Sequence, residues 1–315
     1  MKRDIKILVT ALIIFLLSGC SMIEQKEDIV IVYTNDVECE LSGEIGYAGV
    51  KAYKDYLKSE NKYVSLVDAG DFFDGEAAQK SGGKYIVQIM NAVGYDVVTL
   101  GNQEFSIGLE ELADCINDSD FDYVTCNLKY IGKGNDPLRK VKPYVIKKYG
   151  WTKVAFIGVI TPETDTPGKP SYNAISEDGE LIYSFYADDD PQDFYNQVQK
   201  TIDKVRKKVD YVIVLAHLGS NGSREGYSSY DLIENTSGID VVIDGHSHTE
   251  VSGEPVLNMA GDMVALTSTG HKLDNVGVLF LHPDHTVTTG LYPTVENKDP
   301  EIEALVSSIE SSLAE

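Results

Sequence analysis

Short apolar runs and amphipathic stretches alternate along most of this chain. Ile29-Val30-Ile31-Val32-Tyr33 is a continuous apolar run of the kind a strand buried on both faces carries. In the stretch from Tyr47 to Lys58, Val50, Tyr53, Lys54 and Leu57 recur at helical spacing. The alternation goes on, predicting strands at 63–67, 96–100 and 122–126 and helices at about 83–93 and 107–117. Val145 to Lys148, the turn Tyr149-Gly150 and the run Val154 to Ile160 read as a hairpin. Residues 161 to 190, with Pro162, Pro167, Pro170 and Asp188-Asp189-Asp190, read as a long loop that ends in a capped helix at about 191–208. Strands at 211–216 and 240–244 bracket a further helix, and β runs follow at 263–268, 275–281 and 286–292. Asp299-Pro300-Glu301 opens a last helix, with Asp299 as its N-cap and Pro300 at its first position. This order of elements predicts an α/β layered fold with a largely parallel inner sheet, in one domain without internal repeats.

The first twenty residues depart from that pattern. Lys2, Arg3 and Lys6 precede an apolar stretch from Ile7 to Leu17, and Leu17-Ser18-Gly19-Cys20 follows. A basic start, a short apolar core and small residues describe a secretory signal. The core has about 11 residues against the roughly 20 a spanning helix needs. Leu-Ser-Gly-Cys resembles the lipobox of bacterial lipoproteins, which makes Cys20 the lipidated first residue and 21–28 a polar tether. The expected location is therefore extracytoplasmic, on the bacterial cell envelope, held to the membrane by lipid on Cys20. A net charge of −23 repels polyphosphates at long range, so no nucleic-acid binding is expected. With Cys20 assigned to lipid, Cys39, Cys115 and Cys126 remain, an odd number that gives no disulfide framework.

The candidate chemistry lies just past the strands. Asp36, Asp71, Asn102, His217, His246 and His248 each follow a predicted strand, and in open α/β sheets ligands bind beyond the carboxyl ends of the strands. One aspartate after a strand is usually a turn residue, and one histidine is usually a packed one. Five separate connections that bring polar groups to one edge are a different matter. Imidazoles mixed with carboxylate and amide oxygens suit a pair of divalent ions. Such a pair needs a short bridging carboxylate, for which Asp71 in Ala69-Gly70-Asp71 is the natural candidate. His271, His282 and His285 fit no ligand spacing and read as surface or loop residues.

On Tyr33-Thr34-Asn35-Asp36, Asp68-Ala69-Gly70-Asp71, Leu100-Gly101-Asn102, Ala216-His217-Leu218-Gly219 and Gly238-Ile239-Asp240 through Gly245-His246-Ser247-His248, the chain resembles a known family. It is the metal-dependent 5′-nucleotidase and 2′,3′-cyclic-nucleotide phosphodiesterase family within the calcineurin-like metallophosphoesterases. The resemblance covers 29 to about 297, with 298–315 left as a C-terminal helix. It implies a four-layer α/β/β/α sandwich holding two divalent metals such as zinc or manganese. Asp36, Asp71 and His248 would serve one ion, and Asp71, Asn102, His217 and His246 the other. Glu38 stands where the family has a ligand histidine, Gln103 where it has the catalytic histidine, and Ser106 where it has that histidine's aspartate partner. A carboxylate at Glu38 still ligates, with a preference for harder ions. Gln103 donates a hydrogen bond but carries no proton, and an acid–base group is worth roughly 10²–10⁴-fold in rate. The resemblance thus implies a phosphoesterase acting on phosphate esters or nucleotides through metal-activated water, at reduced rate, and the lipobox makes it a lipid-anchored one. The alternative is a metal- or ligand-binding surface lipoprotein that has lost the chemistry.

Overall fold

The computed structural model describes residues 27–162, 182–186, 190–222 and 225–314. The secretory signal, Cys20 and most of the long loop at 161–190 lie outside the described residues. In chain order the first half comprises β1 (Ile29–Thr34), α1 (Gly46–Glu60), β2 (Tyr63–Asp68), α2 (Glu76–Ser81), α3 (Lys84–Val93), β3 (Val97–Thr99), a 3₁₀ turn at Gln103–Ile107, α4 (Leu109–Asp118) and β4 (Asp122–Val124). Then come β5 (Lys129–Tyr130), β6 (Tyr144–Tyr149), β7 (Thr152–Ile160), β8 (Tyr183–Ser184), α5 (Pro191–Arg206), β9 (Tyr211–His217), α6 (Ser229–Glu234) and β10 (Val241–Ile243). The chain closes with β11 (Glu250–Leu257), β12 (Met263–Thr269), β13 (Val276–Leu281), β14 (Val287–Tyr292) and α7 (Pro300–Leu313).

Two mixed six-stranded sheets, ordered β14-β13-β1-β2-β3-β4 and β11-β12-β10-β9-β7-β6, form the centre. The expected inner sheet is thus a pair. Each has a parallel heart: β1 to β4 in one, β7, β9, β10 and β12 in the other, with antiparallel strands at the margins. Three apolar cores correspond to the three interfaces of a four-layer sandwich. Between the sheets lie Ile29, Ile31 and Tyr33 of β1 with Tyr211, Ile213 and Leu215 of β9. Their alternate neighbours Val30 and Val32 pack outward with Leu57, Ile86 and Val306 from the helices over the first sheet. Val212, Val214 and Ala216 pack outward with Phe194, Val198 and Ile202 of α5 over the second. Both faces of β1 and β9 are covered, which is why their sequences are continuously apolar. Each such fully buried Val, Ile or Phe contributes about 1.5–3 kcal/mol.

The strand β11 is not foreseen by the sequence pattern. Its sequence carries Gly253 and Pro255, its pairing with β12 is interrupted between Val251 and Glu254, and it lies at a sheet edge, where proline costs no ladder bond. Asp299 caps the last helix as expected, accepting from the N–H groups of Glu301 and Ile302 at 3.0 Å.

Candidate metal centre

The C-terminal ends of the parallel strands from both sheets converge on one edge. Asp36 follows β1, Asp71 follows β2, Asn102 follows β3, His217 ends β9, and His246 and His248 follow β10. Two groups of candidate ligands result. Asp71, His217 and His246 bring ligand atoms within 4.8 Å of one another, and so do Asp36, Glu38 and His248. The groups adjoin: His217 Nε2 is 2.9 Å from Asp71 Oδ2 and 3.9 Å from Asp36 Oδ1, and His248 Nε2 is 2.8 Å from Glu38 Oε1 and 3.7 Å from Asp36 Oδ1. These two groups could hold metal ions.

The backbone around them is held in conformations that side chains rarely adopt. Asp36, Glu38, Cys39, Asp71, His246, His248, Lys272 and Leu273 all have positive φ. They are eight of the ten such non-glycine residues in the described chain, a concentration of strain typical of functional loops. The surrounding hydrogen bonds fix it. Asp36 N donates to Gly70 O at 2.9 Å, Glu38 N to Asp71 O at 3.0 Å, and Lys272 N to Asp36 O at 2.8 Å. Gly245 shows how closely the chain approaches: a Cβ there would meet Asp36 Oδ2 at 2.8 Å and His217 Nδ1 at 2.9 Å.

Electrostatics at the centre calls for a cation. His217 is fully buried, and its Nδ1 lies 2.8 Å from the carbonyl oxygen of Ala69, an acceptor only, so Nδ1 carries the proton. In the neutral ring Nε2 is then a lone pair facing the Asp71 carboxylate, without a hydrogen bond of acceptable geometry despite the 2.9 Å separation. Two lone pairs at that distance require a proton or a metal between them. Burial opposes charge on His217, but Asp71, Asp36 and Glu104 outweigh it and lift the imidazole to about 10. Burial pushes Asp36 up to about 7 against the pull of His217, and burial beside His217 pushes His246 down to about 4. Asn102 Oδ1 is likewise buried without a hydrogen-bond partner. An orphan imidazole nitrogen, an orphan amide oxygen and three acidic side chains fit divalent ions.

Several residues that sequence reasoning passed over complete the site. Glu104 is fully buried, and its carboxylate accepts from Asp71 N and Gly101 N on one oxygen and from Phe72 N and Phe73 N on the other. It therefore ties the Asp71 loop to the Asn102 loop. Asn35 donates to Asp36 Oδ2 at 2.7 Å and accepts from Thr269, joining the two sheets. Both residues stand inside motifs legible in the sequence, but the bonds of Glu104 to 71–73 span 31–33 positions and those of Asn35 to Thr269 span 234. His271 lies in a loop, as expected, and its ring stacks on His248 with centroids 4.8 Å apart and an interplanar angle of 5°, with Asp274 Oδ2 3.0 Å from its Nδ1. Lys272 Nζ lies 3.7 Å from Glu38 Oε2. Gln103 uses its backbone N–H on Asp71 Oδ1 at 2.8 Å, and Ser106 Oγ accepts from Gln79 Nε2 at 3.1 Å. Cys39, Cys115 and Cys126 are free thiols.

A family model described as bacterial capsule synthesis protein PGA_cap matches residues 64–264, more than half of the chain. The chain belongs to this family, within the calcineurin-like metallophosphoesterase superfamily. The trifunctional nucleotide phosphoesterase YfkN of Bacillus subtilis is 26% identical to this metallophosphoesterase over 268 residues, covering 73% of this chain and 16% of its own length. A 2′,3′-cyclic-nucleotide 2′-phosphodiesterase/3′-nucleotidase of Haemophilus influenzae is 28% identical, covering 98% of this chain and 53% of its own length. This metallophosphoesterase thus spans about half or less of these relatives. The crystal structure of a 5′-nucleotidase precursor from Thermus thermophilus superposes with a TM-score of 0.76 at 23% identity, over 91% of this chain and 59% of that one. That likeness shows the shared fold of two mixed sheets flanked by helices.

Proposed function

We propose that this chain is a lipid-anchored, extracytoplasmic phosphoesterase that hydrolyses phosphate esters, nucleotides first among them, with two divalent ions such as zinc or manganese. The observation that carries this reading is the pair of adjoining ligand groups, with His217 Nε2 2.9 Å from Asp71 Oδ2 and 3.9 Å from Asp36 Oδ1 and His246 beside it. The names of the nucleotide phosphoesterase relatives support the substrate class. When bound, a divalent pair supplies a nucleophilic water at neutral pH and positive charge for phosphoryl oxygens. Asp71, Asn102, His217 and His246 would hold one ion, and Asp36, Glu38, Asp71 and His248 the other. The Ala69 carbonyl fixes the His217 tautomer, as outer partners of metal-bound histidines do. Gln103 offers an amide in place of a proton-carrying group, so turnover is slow. His271, oriented by Asp274, brings an imidazole to the rim that Gln103 does not provide.

A second reading, metal binding without turnover, is favoured by one observation: Ser106 bonds to Gln79 rather than serving a partner at position 103. One experiment separates the two. The purified full chain is analysed for bound metal and assayed on 5′-AMP, 2′,3′-cyclic AMP and a chromogenic phosphate ester with manganese, zinc or calcium. Hydrolysis that tracks metal content is expected. Two bound ions with undetectable hydrolysis would leave the binding protein standing, and absence of bound metal would sink both.

A further inference from the structure

The end of the sandwich opposite the metal centre carries most of the exposed large apolar side chains among the described residues. Parallel strands β1, β7 and β12 all run toward the site, so their first residues share the far end. The two sheets keep this sense relative to each other. At the site end Thr269 N donates to Asn35 Oδ1 at 2.8 Å, and at the far end the Tyr211 hydroxyl bonds the His282 carbonyl. Trp151, in the turn leading into β7, is 74% exposed. Leu257, Met259 and Met263, at the tip joining β11 to β12, are 58%, 64% and 57% exposed. These are four of the seven large apolar side chains exposed among the described residues. The tip and Trp151 stand at opposite edges of the second sheet, on β11–β12 and β6–β7, so they flank this end from two sides.

The tip is built rather than loose. Asn258 is buried, its side-chain oxygen accepts from Ala260 N and Asp262 N at 2.9 Å, and Met259 N donates to Thr236 O at 3.0 Å. Leu257, Met259 and Met263 are thereby presented on a backbone that is already ordered. The chain before β1 enters at this same end, and seven residues, eight Cα–Cα steps, separate Cys20 from Asp28. Fully extended, that tether reaches only about 27 Å. Charge here is mixed: exposed Lys148, Lys153, Lys207 and Lys208 share the end with exposed Asp262 and Asp284. An acidic or basic partner is therefore not selected, whereas an apolar one is.

We infer that this end is a membrane-contact face: the Leu257–Met263 tip and Trp151 enter the headgroup region of the bilayer that holds the lipid on Cys20, leaving the metal centre facing away from the membrane. The inference rests on the lipoprotein reading of Cys20. Tryptophan suits the interface because its amphipathic ring settles at headgroup level, and the apolar tip adds buried area to the attachment that the lipid on Cys20 gives.

Trp151 is the only tryptophan, so it reports alone. The full chain, produced in a lipoprotein-processing host, is reconstituted into phosphatidylcholine vesicles with and without bromine-labelled acyl chains, and Cys20 is examined by mass spectrometry. The expected result is lipidated Cys20, a blue-shifted Trp151 emission, and quenching at least twofold by brominated lipid. Leu257→Glu combined with Met259→Glu should at least halve that quenching while bound metal stays unchanged. Lipidated protein on vesicles whose Trp151 stays fully open to iodide would overturn the orientation and leave the anchor intact. Unmodified Cys20 on protein that washes off vesicles would remove the anchor and the inference together. A blue shift that grows with protein concentration in the absence of lipid would assign the face to a second copy and overturn the membrane contact.

Discussion

Replacing Glu104 by glutamine tests whether one buried carboxylate holds the metal loops together. The change is nearly isosteric, so packing is kept. The carboxylate oxygens accept four backbone N–H groups, at 2.9 Å from Asp71, 2.6 Å from Gly101, 2.9 Å from Phe72 and 3.1 Å from Phe73. Burial and the neighbouring Asp71 push its pKa up to about 7, while those N–H groups favour the ionised form. A carboxamide offers one oxygen, leaving two N–H donors facing an NH₂ group. Losing two charge-assisted bonds at about 1.5–3 kcal/mol each gives a loss of about 3–6 kcal/mol. Removing a buried charge returns about 2 kcal/mol of that. A net destabilisation of about 1–4 kcal/mol lowers the melting temperature by about 3–12 °C at about 3 °C per kcal/mol. Because the Asp71 and Asn102 loops share this anchor, bound metal should fall as well. Calorimetry on metal-free and metal-loaded protein, with metal analysis of both variants, makes the measurement. A melting temperature within 1 °C of the parent and full metal content would refute the role.

His271→Ala should lower kcat on a chromogenic phosphate ester by about 10²-fold with metal content unchanged, and an unchanged kcat would remove His271 from the reaction. Chelation followed by dialysis should lower the melting point, since ligand at 100-fold over its Kd stabilises by about 2.7 kcal/mol; an unmoved melting curve would argue against bound metal. Lys54 is buried, with its ammonium on the Gly94 carbonyl, and burial pushes its pKa down to about 8. Between pH 8 and the ordinary lysine value of about 10.4 the unfolded chain binds more protons than the folded one, so this residue makes stability rise with pH there. Lys54→Met should erase about 3 kcal/mol of that rise, seen in denaturant titrations at pH 7 and pH 10.

Much of the fold was legible because burial on both faces leaves a strong mark. Continuous apolar runs such as 29–33 and 211–216 appear as strands, and the helices over them follow the 3.6-residue period. What the pattern missed has physical causes. The strand β11 lies at an edge and is broken by Gly253 and Pro255, so it carries no alternation. The short helix α2 buries only Ala77 and Ala78, too little to set a period. At the site, the aspartates and histidines were legible from their strand-end positions, since each strand supplies its own residue. The bonds that organise them were not: Asn35 meets Thr269 across 234 positions. The contact of His271 with His248 was not legible, because a ring stack across a loop leaves no spacing in sequence.

The distribution of the departures from the resembled family bears on what the site still does. Glu38, Gln103 and Ser106 change groups that ligate or move a proton, yet the bonds that strain the loops are intact around them. Glu38 itself holds a positive φ and points Oε1 to His248 at 2.8 Å, so the substituted residue joins the ligand group instead of leaving it. Eight residues with positive φ near one edge cost of order 1–3 kcal/mol each, and a fold without use for that edge would lower its energy by relaxing them. Gly70 is under the same constraint, since a Cβ there would meet Gly101 N at 2.7 Å and His217 Nδ1 at 2.9 Å. The strain and the close approach both serve the same end, the convergence of carboxylates on a buried imidazole nitrogen. Such convergence is unfavourable until a proton or a metal ion stands between the imidazole and the carboxylates, so the retained geometry is one that divalent ions could occupy, while hydrolysis would depend additionally on a proton carrier that Gln103 cannot be.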